Sequence, residues 1–155
     1  MRLELVKDWM TAEVVTVDAD TGLMDADHVM RDNGVRRLPV VENGRLVGIV
    51  TYGDIREARP SAATSLSTWE MNYLLTRLKI EAVMTKDPIT IKPDAIMGEA
   101  AALMLNNRIS GLPVVDAEGK VVGILTESDI FRMVAHTWEK AQQDESPKPY
   151  AHYND

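Results

Sequence analysis

The sequence predicts a mixed α/β (α+β) fold built from two tandem β-α-β-β-α repeats related by a pseudo-two-fold axis. Three observations carry this expectation. Shifted by 74 residues (84 − 10), Met10-Thr11 falls on Met84-Thr85, Thr16 on Thr90, Asp20 on Asp94, Ala26 on Ala100, Met30 on Met104, Asn33 on Asn107, and Leu38-Pro39-Val40-Val41 on Leu112-Pro113-Val114-Val115. After one extra residue near Glu118, Gly44, Val47, Gly48, Ile49, Thr51, Asp54 and Ile55 match Gly119, Val122, Gly123, Ile124, Thr126, Asp129 and Ile130 at an offset of 75 (129 − 54). An insertion is tolerated there because the residue falls in a turn. Finally, each half has only about 50 residues, marginal for a free-standing core, so the halves are expected to pack together and leave a cleft between them. The period is too long for a solenoid and marks a duplicated module.

The elements follow in the same order in each half. Val14-Val15-Thr16-Val17 and Ile89-Thr90-Ile91 are short β-branched runs that read as strands. Asp20 and Asp94 stand where helix N-caps belong, ahead of apolar positions at Leu23, Ala26 and Met30, or at Ile96, Ala100, Leu103 and Met104. Gly34 and Asn107 occupy the far ends, where a left-handed residue closes a helix. Hairpins follow, turning at Glu42-Asn43-Gly44 and Ala117-Glu118-Gly119. Pro39 and Pro113 cannot donate to a ladder, which assigns them to strand starts or edges. A closing helix begins near Asp54 or Asp129, the second one longer, with Ile130, Phe131, Val134, Ala135 and Trp138 as its apolar face.

These elements divide the chain into a first repeat over 1–57, a linker with a helix over 58–79, a second repeat over 80–138 and a polar tail over 139–155, expected to be disordered. In the linker, Ser67-Thr68-Trp69-Glu70 has capping-box spacing before a helix through Leu78, with Trp69, Leu74, Leu75 and Leu78 on its apolar side.

Composition narrows the function classes. Seventeen Lys and Arg against 24 Asp and Glu give a net charge of −7, which argues against binding to nucleic acid or an anionic membrane. There is no cysteine, so neither disulfides nor thiolate chemistry is available. No apolar run approaches the ~18–20 residues of a spanning helix, and acids interrupt the N-terminal MRLELVKDWM, so a cytoplasmic location is expected. His28, His136 and His152 have no second ligand at metal spacing, and no nucleophile elbow, P-loop or dinucleotide glycine pattern is present. The expectation is a protein that is not an enzyme.

The most informative motif is Gly48-Ile-Val-Thr51-Tyr-Gly-Asp54-Ile55 with its copy Gly123-Ile-Leu-Thr126-Glu-Ser-Asp129-Ile130, each at a strand-to-helix junction. There a small residue would let a ligand approach the strand, a helix N-terminus offers free N–H groups, and a carboxylate can accept both hydroxyls of a ribose. The same T-x-x-D spacing also serves as a plain capping box.

Together, the MT-x-x-hhT strand start, the hLPVV strand and the G-h-h-T-x-x-D-I motif, each occurring twice, resemble the cystathionine β-synthase (CBS) domain as a tandem pair, or Bateman module. The linker PSAATSLSTWEMNYLLTRLKIEAVMT is similar to that of the acetoin-utilisation B-type (AcuB-like) subgroup, without the C-terminal ACT-like domain that many of its members carry.

The resemblance implies a regulatory, energy-sensing module that binds an adenosine-containing ligand (AMP, ADP, ATP, S-adenosylmethionine or NAD) between the repeats. No cofactor is obligatory. Thr51 and Asp54 would serve one site, Thr126, Ser128 and Asp129 the other, with Thr16, Thr90 and the backbone at Arg37-Leu38 and Gly111-Leu112 framing the base. Phosphate would prefer the cleft faced by arginines, with Arg36, Arg37 and Arg56 in the first half and Arg108 and Arg132 in the second. Arg36 and Arg37 point to opposite faces of a strand, so at most one of them enters a given cleft. The resemblance also implies a homodimer and a protein effector acted on in trans. The alternative is a ligand-independent structural or interaction homodimer.

Overall fold

The computed structural model describes residues 3–59 and 65–144. The chain runs through α1 (Val6–Trp9), β1 (Val17–Asp18), α2 (Leu23–Asn33), β2 (Arg37–Glu42), β3 (Arg45–Thr51) and α3 (Tyr52–Ala58). After the linker come α4 (Thr68–Arg77), a 3-10 turn at Ile80–Ala82, β4 (Thr85–Lys86), α5 (Met97–Asn107), β5 (Gly111–Val115), β6 (Val121–Thr126) and α6 (Glu127–Asp144). The mixed α+β class and the duplicated unit are as the repeats predict.

The first sheet has the order β1-β2-β3-β4, with β1 parallel to β2 and the other pairs antiparallel. The second sheet, β5-β6, is flanked in the same sense by a parallel bridge from Ile91 to Val114 and an antiparallel bridge from Thr11 to Ile124. Two further bridges, Leu5 to Ile96 and Gly22 to Lys79, are images of each other, since adding 74 to positions 5 and 22 gives 79 and 96. The Arg45–Lys120 bridge maps onto itself (45 + 75 = 120) and marks the pseudo-two-fold axis.

The repeats exchange their opening segments. Val6, fully buried, packs with Ile91, Met97, Leu112 and Leu125 of the second half, and its N–H donates to the Ala95 carbonyl at 2.9 Å. Reciprocally, Ile80 is fully buried among Leu23, Leu38, Val50 and Ile55 of the first half and donates to Thr21 at 2.8 Å. Met10 and Met84 are the anchors of this exchange. A Cβ at Gly123 would strike the Met10 sulfur, and one at Gly48 would strike that of Met84. These two glycines, read from the sequence as openings for a ligand, are instead small to admit a methionine from the other repeat.

Exchange also replaces the expected N-caps. α2 and α5 start after Gly22 and Ile96, with no side-chain cap. The first helical N–H groups, Leu23 and Met97, donate to the Leu78 and Glu4 carbonyls of the incoming segments, each at 2.9 Å. Asp94 pairs with Lys7 at 2.8 Å instead of capping.

At the other ends Gly34 (φ 63°) closes α2 as expected, but in the second repeat the left-handed residue is Arg108 (φ 54°), one position beyond Asn107. The hairpin turn at Asn43 (φ 52°) and Gly44 (φ 78°) has the two positive φ values of a tight right-twisted connection.

The expected strands before the helices are shorter than their β-branched runs. Pro39 and Pro113 are interior to their sheets, flanked on both sides, and their position has a cost. The parallel ladder begins with the Ile91 N–H on the Pro113 carbonyl at 3.1 Å, and its next rung back would need an N–H that Pro113 lacks. The backbone at Ile89 is thereby left outside the ladder.

α4 starts at the expected capping box, with Ser67 and Glu70 bonded reciprocally at 2.7 and 3.2 Å. Leu75 and Leu78 pack on the first core, whereas Trp69 and Leu74 face outward, Trp69 stacked on Tyr73 at 5.5 Å. α6 continues to Asp144, into the stretch read from the sequence as tail. Residues 60–64 of the linker and 145–155 of the tail, including His152, lie outside the described residues. No helix among the described residues is long and apolar enough to cross a membrane.

Candidate ligand-binding cleft

Because the opening segments are exchanged, the strand-to-helix junction of one repeat faces the strand start of the other. A cavity of about 340 Å³ lies there. Thr51 and Asp54 of the first repeat form one wall, and Thr85, Asp87 to Ile89, Arg108 to Gly111 and Pro113 form the other. Arg37 lies between them.

At the first wall the capping box is complete. The Thr51 N–H donates to Asp54 Oδ2 at 2.8 Å, and the Asp54 N–H donates to Thr51 Oγ1 at 3.1 Å. Asp54 Oδ1 has no protein partner among the described residues, so this carboxylate caps its helix with one oxygen and presents the other to the cleft. The two readings of the motif are compatible here.

Arg37 is one of two arginines lining the cleft, with Arg108. Its Nη2 donates to Ser110 Oγ at 2.9 Å, and its guanidinium lies against Gly111, where a Cβ would collide with it. Burial pushes its pKa below the ordinary guanidinium value, and the Glu127 carboxylate opposes the shift. An arginine kept in a cleft without a bonded carboxylate is ready for an anion. Its neighbour Arg36 is exposed, as alternation along a strand requires.

The pseudo-symmetric junction differs. Asp129, nearly buried, accepts from the Thr126 N–H at 2.8 Å and Thr126 Oγ1 at 3.3 Å with Oδ2, and from Arg132 Nη1 at 2.7 Å with Oδ1. Ser128 and Arg132 are exposed beside it.

Of the remaining residues singled out in the sequence, Leu38 and Leu112 bury their side chains completely in the two cores, leaving only backbone for a ligand. Thr90 is half-buried beside Ile89, while Thr16 and Arg56 are exposed and outside the cavity wall. Asp87, Pro88 and Ile89 were not singled out. Their signal would have been the exchange itself, which brings residues 85–89 to the motif of the other repeat.

No group of three His, Cys, Asp or Glu among the described residues could hold a metal ion. The CBS domain family model matches residues 6–61 and 80–136. The chain belongs to the CBS domain family. It carries the domain as a pair.

A CBS domain-containing protein of Dictyostelium discoideum is 35% identical over 136 residues, covering 87% of this chain and 94% of that protein. An uncharacterised Methanocaldococcus jannaschii protein, MJ1225, is 34% identical over 139 residues, but the chain spans only 48% of its length. For the homoserine O-acetyltransferase of Methanosalsum zhilinae (36% identical over 132 residues) the match spans 84% of this chain and 24% of the enzyme.

Among solved structures, CBSX2 in complex with AMP aligns with a TM-score of 0.74 at 30% identity, covering 87% of this chain and 99% of that one. The CBS pair of MJ0100 in complex with 5′-methylthioadenosine and S-adenosylmethionine aligns at 0.73 and 31%, covering 88% and 99%. A structure described as that of an acetoin utilization protein, AcuB, of Vibrio cholerae aligns at 0.73 and 31%, covering 94% and 100%.

Proposed function

We propose that this CBS pair is a regulatory module that binds an adenosine-containing ligand in the Asp54 cleft, changes the relative angle of its repeats on binding, and acts on a protein partner in trans. The observation that carries this reading is the convergence, in a cavity walled by both repeats, of the free Asp54 oxygen and the Arg37 guanidinium of the first repeat. Asp54 Oδ1 takes the ribose hydroxyls, Arg37 takes phosphate, and the unpaired backbone at Ile89 with the Ile109–Gly111 edge frames the base. Thr51 stands beside the ribose. The junction with Thr126, Ser128, Asp129 and Arg132 is the second, pseudo-symmetric site, framed by Thr16 and the Arg37-Leu38 backbone. The AMP, methylthioadenosine and S-adenosylmethionine complexes of the similar pairs support the ligand class. The reading includes a cytoplasmic homodimer and no catalytic step. Ligand and partner binding are then reciprocally linked.

A second reading, a ligand-independent homodimer, draws support from the Thr51–Asp54 capping box and from the Thr126–Asp129 hydrogen bonds, which form without any ligand. Titration calorimetry with AMP, ATP, S-adenosylmethionine and NAD, on the wild-type chain and on Asp54→Ala and Asp129→Ala, separates the two. Binding abolished by Asp54→Ala with the fold retained is expected. Absence of heat from all four ligands at millimolar concentration would return Thr51, Asp54, Thr126 and Asp129 to their capping roles.

A further inference from the structure

We infer that Arg132 latches the second cleft: its guanidinium holds the Asp129 oxygen that a ribose would need, so the chain takes one ligand, at Asp54, until that ion pair is released. The latch presupposes the ligand-binding reading above and adds how its second site is controlled.

The two junctions share a backbone plan and differ in what fills the carboxylate. Asp54 accepts from the Thr51 N–H at 2.8 Å with Oδ2, and its Oδ1 has no protein partner among the described residues. Asp129 accepts from the Thr126 N–H at 2.8 Å and the Thr126 hydroxyl at 3.3 Å with Oδ2, while Arg132 Nη1 donates to its Oδ1 at 2.7 Å. The equivalent oxygen is open in one repeat and occupied in the other. Exposure follows the same division. The Asp129 side chain is 5% exposed beneath a guanidinium side chain that is itself 64% exposed, whereas Asp54 is half-buried. One position in the sequence causes the difference. Three residues after each carboxylate stand Glu57 and Arg132 (132 − 75 = 57). Side chains at i and i+3 meet on a helix surface, so Arg132 closes on Asp129, while Glu57, exposed and of the same sign as Asp54, cannot pair with it.

An occupied oxygen changes what a ligand must do. Ribose hydroxyls are neutral donors, and at Asp129 they have to displace a hydrogen bond in which both partners are charged. Once Arg132 leaves, a nearly buried carboxylate has lost its counter-charge, and the hydroxyls restore hydrogen bonds but not that charge. Asp54 makes no such demand, because its free oxygen already faces a cavity of about 340 Å³. The latch can nevertheless open. With most of its side chain in solvent, Arg132 can swing off Asp129 without repacking the core.

The test is calorimetric, with AMP and with 5′-methylthioadenosine, a neutral nucleoside that offers the guanidinium no phosphate in return. The wild type is expected to bind one molecule per chain, and Asp54→Ala none. Asp54→Ala/Arg132→Ala is expected to regain one nucleoside per chain, and the further change Asp129→Ala to remove it again. In the converse variant, Glu57→Arg, the Asp54 cleft receives a latch of its own, and its affinity for the nucleoside is expected to fall about tenfold, with Glu57→Gln close to wild type. Circular dichroism checks the fold of each variant, and if the doubly substituted chain does not fold, Glu57→Arg decides alone. Two nucleosides per wild-type chain, a folded Asp54→Ala/Arg132→Ala chain that binds none, or a Glu57→Arg chain as tight as the wild type would each overturn the latch while leaving the Asp54 site in place. Binding that survives Asp54→Ala alone would overturn both, as would a wild type that binds neither ligand.

Discussion

Arg37 lies on Gly111, the residue that holds its own position in the second repeat (37 + 74 = 111). Near a two-fold axis two copies of one position approach each other, and there is room for one long side chain only. The glycine yields that space, and the hydrogen bond from Arg37 to Ser110 at 2.9 Å fixes the guanidinium in the cleft. The duplicated chain thus carries an arginine at this position in the first repeat and a glycine in the second.

Gly111→Ala tests that placement. The new Cβ meets mainly the mobile end of Arg37, so the expected loss of stability is small, about 1 kcal/mol for the hydrogen bond to Ser110. AMP affinity is expected to fall about tenfold, the worth of one charged hydrogen bond. Denaturant unfolding and calorimetry on the same variant check both.

Gly48→Ala has the opposite profile. Here the Cβ collides with Met84 and lies 3.0 Å from the Thr85 carbonyl, which belongs to a paired strand and cannot step aside. A destabilisation of about 1–3 kcal/mol is expected. Adding Met84→Ala should return part of it, as a double-mutant cycle measured by urea unfolding would show.

The second repeat supplies the design for a test of the first. Arg59→Ala leaves the fully buried Asp27, one of whose oxygens already lacks a partner, with only the exposed Arg31, and a loss of about 3–5 kcal/mol is expected. Asp27→Ala/Arg59→Val installs the pair Ala101/Val134 found at the matching positions, and is expected to be near neutral or stabilising. Thermal unfolding of both variants decides the matter.

The α4 cap carries a pH signature. The Ser67 N–H holds the Glu70 carboxyl below its ordinary 4.5, so the folded form prefers the charged state. That contribution is complete above pH 4.5 and is lost as the pH falls through the lower folded-state value. Exchange protection of the Ser67 amide is expected to drop in this acid window in the wild type and to stay flat in Glu70→Gln.

The duplicated unit was legible in the residues themselves because local chemistry sets its parts. Asn43-Gly44 dictates a tight hairpin, Ser67 and Glu70 a helix start, and Thr51 and Asp54 a capped strand-to-helix junction. The segment exchange was not legible. Residues 5–11 and 80–86 would show the same pattern packed on either repeat, so Gly48 and Gly123 were assigned to a ligand when they make room for Met84 and Met10. The expected caps Asp20 and Asp94 failed for the same reason, since carbonyls from distant chain satisfy those helix ends. In the cleft, Thr51, Asp54 and Arg37 could be named from the motif, but Ile89 could not. Its place depends on the missing N–H of Pro113, 24 residues downstream (113 − 89).

The exchange also sets an order of events during synthesis. The first repeat cannot complete its sheet until Thr85 has left the ribosome, and Thr11 must wait for Ile124, 113 residues later (124 − 11). Until then Val6 and Met10 have no core to enter, and the nascent chain carries them exposed. The last strand to emerge, β6, closes the second half by taking up the beginning of the first, so neither half has a native state of its own to reach early.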